Sequence, residues 1–116
     1  MTLTLQHVTI DCADPRGLAQ FWAAALDSSI KDDFEEFVTV DATPAGFAQL
    51  GFQRVPEPKS AKTRIHLDFR VADRAAEVER LVALGARAIG EESVPGVKWT
   101  VLQDPEGNEF CVAGRA

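Results

Sequence analysis

A chain of 116 residues is the size of one compact domain, and a domain of that size hides about two-thirds of the surface its unfolded form exposes. Its 18 acidic residues outnumber 12 basic ones, and the net charge of −6 argues against a nucleic-acid partner, because phosphate binding needs clustered positive charge. No apolar run is long enough to cross a bilayer. Met1 to Gln6 lack the basic, apolar and cleavage regions of a signal peptide, so a cytoplasmic protein without membrane association is expected.

The first element is a strand within "HVTIDCAD", residues 7–14. Val8, Ile10 and Cys12 alternate with His7, Thr9 and Asp11, so one face is apolar and the other polar. Asp14 is a good helix N-cap and Pro15 suits the first helical position, where its missing N–H costs nothing. In "PRGLAQFWAAAL" the residues Leu18, Phe21, Trp22, Ala25 and Leu26 recur at helical spacing and predict one apolar face, with Trp22 in the core. Strands are expected near 28–32, 35–41 and 46–53. Phe52 is read as core, and Phe47 as core or the lining of a pocket.

The stretch "RVPEPKSAKTR" carries two prolines and four basic residues and reads as a solvated connection. The linker is placed at about 55–63, with module 1 at about 1–54 and module 2 at about 64–116, the whole of 1–116 forming a single domain. Beyond it, "HLDFRVAD" at 66–73 repeats the opening pattern at an offset of 59: His66 falls on His7, Ala72 on Ala13 and Asp73 on Asp14. A helix follows, with Ala75, Val78, Leu81 and Val82 on one face and Gly85 at its C-terminal stop. Strands are expected near 87–91, 96–103 and 108–113, and "DPEGN" at 104–108 is a turn in which Gly107 takes a positive φ.

Each half therefore reads β-α-β-β-β. The class is α+β: two tandem βαβββ modules, each a curved antiparallel sheet under a helix, together giving a cup-shaped mixed sheet with helices on the outer face. The polar face is unusual in continuing across several strands, and such a face is either solvated or the wall of a site. His7, Gln49, His66 and Glu109 stand at or near the starts of the outer strands. Two imidazoles and a carboxylate form a set that holds a divalent transition metal, with Gln49 adding a carbonyl oxygen. Singly, each is as well explained as a polar residue at a sheet edge. Trp99, in "GVKWTVLQD", is either an apolar wall for a planar ligand or a packing residue. Arg54, Lys59, Lys62 and Arg64 are solvated linker charge or a lure for an anionic substrate. Cys12 and Cys111, with no CxxC, read as free thiols in a reducing compartment.

"RIHLDFRVAD", "LVALGA" and "LQDPEGNEFCV", with "DCADPRGLAQFW" in the first half, resemble the vicinal oxygen chelate superfamily, and most of all its small bacterial glyoxalase-like branch. That superfamily includes glyoxalase I, bleomycin and fosfomycin resistance proteins, methylmalonyl-CoA epimerase and the type I extradiol dioxygenases. The likeness covers nearly the whole chain. It implies a metal cup whose ligands fall on His7, Gln49, His66 and Glu109, holding one divalent ion (Zn, Ni, Co, Mn or Fe(II)). It implies a lyase, isomerase or epimerase acting on a small oxygen-rich metabolite through a metal-stabilised enolate, with Glu109 doubling as catalytic base. Thr9, Phe47, Asp68 and Trp99 would contact the ligand, and a homodimer is expected. The alternative is a metal-free binding protein of the bleomycin-resistance type. The chain has no tyrosine, and both its histidines would be taken up as ligands, which counts against the dioxygenase branch.

Overall fold

The computed structural model describes residues 3–41 and 48–115, and these form two compact units, Met1–Lys59 and Ser60–Ala116. The expected strand at 46–53 begins in part outside the described residues, as does Phe47.

Module 1 runs β1 (His7–Cys12), α1 (Pro15–Ala25), β2 (Ile30–Asp33), β3 (Phe37–Val40) and β4 (Gln49–Arg54). The Asp14 carboxylate accepts from the Gly17 amide at 3.1 Å, and Pro15 opens the helix. Helix α1 packs on β3 and β4. It buries Leu18, Ala19, Phe21, Trp22 and Ala23 against Val38, Val40, Leu50 and Phe52. The buried stripe thus takes in Ala19 and Ala23, while Ala25 and Leu26 are only half-buried. Fully burying a Leu or Phe contributes about 1.5–3 kcal/mol, so this cluster anchors the module.

Module 2 repeats the plan: β5 (Leu67–Arg70), α2 (Arg74–Leu84), β6 (Arg87–Val94), β7 (Val97–Gln103) and β8 (Glu109–Arg115). The Asp73 carboxylate caps α2 through the Ala76 amide at 3.1 Å, and Gly85 ends the helix at φ 125. The core here is smaller, centred on Leu81, Ala86, Leu102, Phe110 and Val112. The inward face of α2 differs from the expected one: Ala75 and Val82 are exposed, and Leu81 alone is fully buried. Arg74 turns the helix, because its guanidinium lies inward and donates to the buried Thr100 hydroxyl and to Glu91. Strand β6 runs to Val94 rather than ending at 91, and Pro95-Gly96 closes its hairpin with β7, Val94 facing Val97. Gly96 at φ 87 supplies the positive angle such a turn requires.

Each module has its own four-stranded sheet, ordered β1-β4-β3-β2 and β5-β8-β7-β6. Antiparallel pairing holds for the last three strands of each module and fails for the outer pair, since β1 runs parallel to β4 and β5 parallel to β8. The helix returns the chain to the starting end. Three successive strands then leave the last one pointing the way the first did. A parallel pair needs such a helical crossover, and both modules supply it.

Candidate functional site

Parallel pairing decides which side chains are neighbours, because residues opposite one another in a ladder share a face. In module 1, His7 stands opposite Gln49, Thr9 opposite Gly51 and Asp11 opposite Gln53. Gln49 therefore lies on the face of His7, and the neighbouring register, with Ala48 in its place, is not the one formed. The Phe37 ring meets His7 edge-on, centroids 5.8 Å apart, and lies over Gly51, where a Cβ would come within 2.8 Å of it.

In module 2 the first registered pair is Leu67 opposite Phe110, followed by Asp68 opposite Cys111. One step earlier stand His66 and Glu109. Glu109 opens β8, whereas His66 precedes β5 by one residue instead of beginning it. From β7, Val101 faces Cys111 and Trp99 faces Ala113. His66, Asp68, Trp99, Val101, Glu109 and Cys111 line a cleft of about 490 Å³ with Lys62, Glu92 and Ala113. Of the residues picked from sequence, His66, Asp68, Trp99 and Glu109 meet in this cleft, while His7, Thr9 and Gln49 share the polar face of module 1.

The turn before β8 aims Glu109. Asp104 is buried, and its carboxylate accepts from the amides of Glu106 and Asn108 and from the Asn108 side chain, at 2.9–3.1 Å. Gly107 adopts φ 87, as the "DPEGN" pattern predicts. Thr63 then holds Glu109 Oε2 through both its backbone amide and its hydroxyl. Thr63 lies in the stretch read as linker, and nothing in its local sequence signals this contact. Lys62, also assigned to solvated linker, lines the cleft.

His66 Nδ1 lies 3.1 Å from Asp68 Oδ1. Ligating atoms of His66, Asp68 and Cys111 all fall within 4.8 Å of one another. The Cys111 thiol is pushed above its ordinary range, first by burial and then by the neighbouring Asp68 carboxylate, with Lys62 opposing. This cleft offers imidazole nitrogen, carboxylate oxygen and sulfur, a donor mixture that fits a first-row divalent ion or Zn. Neither cysteine takes part in a disulfide among the described residues. Among the described residues, no helix is long and apolar enough to cross a membrane.

Comparison with solved structures places the fold. A glyoxalase/bleomycin resistance protein/dioxygenase family enzyme from Burkholderia phytofirmans PsJN aligns at TM-score 0.79 and 21% identity, covering 98% of this chain and 100% of that one. A glyoxalase-related enzyme from Fulvimarina pelagi aligns at TM-score 0.75 and 17% identity, covering 97% and 88%. A glyoxalase family protein from Bacillus cereus aligns at TM-score 0.75 and 17% identity, covering 99% and 95%. No curated protein sequence gives a match. The family profile described as a glyoxalase-like domain matches residues 7–113, both modules together, and on that match the chain belongs to the glyoxalase-like family of the vicinal oxygen chelate superfamily.

Proposed function

We propose that the protein is a divalent-metal-dependent enzyme of the lyase, isomerase or epimerase type, acting on a small oxygen-rich metabolite by proton abstraction next to a carbonyl. The observation that carries this reading is the duplicated outer pair. At the start of β1–β4 a histidine stands beside an oxygen donor, His7 with Gln49, and one step before the first registered pair of β5–β8 come His66 and Glu109, which line one cleft. These four side chains are the proposed ligands of one ion (Zn, Ni, Co, Mn or Fe(II)). Bound there, the ion supplies Lewis acidity to the substrate oxygens. Glu109 removes the proton, with its carboxylate oriented by Thr63. Trp99 and Val101 give the substrate an apolar wall, Asp68 and Thr9 offer polar contacts to it, and Phe47 is proposed as a further lining residue. The two thiols, neither of them in a disulfide among the described residues, support a reducing, cytoplasmic setting. A homodimer is part of the proposal, to be read by light scattering.

The apolar strip of Trp99, Val101 and Ala113 in the module 2 cleft favours a second reading, metal-free capture of a small molecule. Elemental analysis after separate exposure to Zn, Ni, Co, Mn and Fe(II) decides between them. The first reading expects close to one ion per site, lost in His66→Ala. With the effective ion bound, α-proton exchange of small hydroxycarbonyl compounds in D2O should fall about 10²–10⁴-fold in Glu109→Gln. Failure to retain any of the five ions refutes the enzyme reading and leaves capture.

A further inference from the structure

The two modules align position for position on the polar face, and one of the levels at which they differ bears on cation binding. Two residues beyond the histidine, module 1 pairs Thr9 with Gly51, and Phe37 covers the glycine. At the same level module 2 pairs Asp68 with Cys111. His66, one rung away, already touches Asp68 at 3.1 Å, and the Cys111 sulfur lies within 4.8 Å of both. Nitrogen, oxygen and sulfur thus converge within 4.8 Å on the wall of one cleft.

We propose that module 2 carries a site of its own for a thiophilic divalent cation, of the Zn(II) and Cd(II) class, with Cys111 Sγ, a His66 ring nitrogen and an Asp68 oxygen as ligands. This site rests on module 2 alone and shares only His66 with the proposed catalytic set. In a tetrahedral site with bonds of about 2.0–2.3 Å, neighbouring ligand atoms are about 3.3–3.8 Å apart. Contraction from 4.8 Å takes only rotation of side chains that are exposed at His66 and Asp68. Loading replaces the thiol S–H bond by a sulfur–cation bond, the proton passing to solvent, and no oxidant or reductant is needed. Glu109 and Glu92 line the same cleft and add negative charge, and Lys62 is the opposing cation. Because His66 is withdrawn from the catalytic set when this site is filled, a thiophilic cation acts as a competitor of the catalytic ion.

The test titrates the full-length protein with Co(II) and with Cd(II), following the sulfur-to-metal charge-transfer absorption in the ultraviolet. A band saturating at one equivalent is expected. It should vanish in Cys111→Ser, with Cd(II) affinity reduced at least about tenfold, since even outer-shell ligand partners cost that much. It should persist in His7→Ala and in Cys12→Ser, whose thiol donates instead to the Gln53 carbonyl in module 1. Binding without a band, a band surviving Cys111→Ser, or a band lost in His7→Ala overturns the proposal. If Cys111→Ser does not fold, alkylation of the wild-type chain decides: protection of Cys111 by Cd(II) supports the site, and unchanged labelling refutes it. The enzyme reading fails on separate evidence, the proton exchange above.

Discussion

Gly51→Ala probes the polar face of module 1 at its tightest point. A Cβ built there lies 2.8 and 2.9 Å from two Phe37 ring carbons and 3.0 Å from the Thr9 hydroxyl oxygen. A methyl in place of a strand glycine would by itself stabilise the chain by about 0.5–1 kcal/mol, through reduced freedom of the unfolded state. Against that, an overpacked site costs about 1–3 kcal/mol. Phe37 can escape only by swinging its ring away, and that gives up the edge contact to His7, worth about 0.5–1.5 kcal/mol. The clash wins, and a net loss of about 1–2 kcal/mol is expected. With a urea slope of about 1–2 kcal/mol/M for a chain this small, the midpoint falls by about 0.5–2 M. The same variant should shift the His7 ring proton resonances, because the Phe37 ring current moves with the ring. A midpoint equal to or above wild type, with His7 resonances unmoved, would refute the packing described here for Phe37 over Gly51.

Asp104→Ala removes the acceptor of the turn that aims Glu109, leaving the Glu106 and Asn108 amides without that partner. Hydrogen bonds to a charged acceptor contribute about 1.5–3 kcal/mol each and overlap in a shared turn, so a total loss of about 3 kcal/mol is expected by thermal melt, and less than about 1 kcal/mol would refute it. The Glu77 carboxylate is held below its ordinary value of 4.5, chiefly by its hydrogen bond to Arg80. Its folded pKa is the lower one, so its stabilisation is present above the unfolded value and is lost as pH falls through the folded one. Arg80 is well exposed, and solvent screening limits the effect to a few tenths of a kcal/mol. Glu77→Gln should therefore be slightly less stable than wild type near neutrality at low salt, and equal to it in strong acid; a gap that persists in acid would contradict the assignment.

The module plan was legible because each signal has a local physical cause. Asp14-Pro15 and Asp73 cap their helices through carboxylate-to-amide bonds between residues close in sequence, and Gly107 takes its positive φ within its own turn. Alternation in 7–12 and 66–71 marked the polar faces, and the offset of 59 marked the repeat. Parallel pairing of the outer strands was not legible, since alternation is blind to strand direction. The inward face of α2 was misjudged because apolar spacing gave no weight to Arg74, whose reach to Thr100 is a contact across 26 residues. Thr63 on Glu109 spans 46 residues and has no local signature.

Duplication also accounts for where the modules diverge. Both retain a histidine and an oxygen donor at the head of the outer pair, and both retain an aromatic ring on the third strand, Phe37 facing Gln53 and Trp99 facing Ala113. Between these fixed points, module 1 has the smallest pair of residues and fills the space with Phe37. Module 2 has a carboxylate and a thiol, and a cleft remains beside them. A filled face holds its histidine against an aromatic edge. An open face leaves its histidine beside Asp68 and Cys111, where a cation, more than a packed ring, satisfies the local charge. The asymmetry therefore assigns the proposed soft-ion site to module 2. Exchanging the level, Thr9→Asp with Gly51→Cys, should not create a second thiolate site in module 1, because Phe37 already occupies the volume that the sulfur would need.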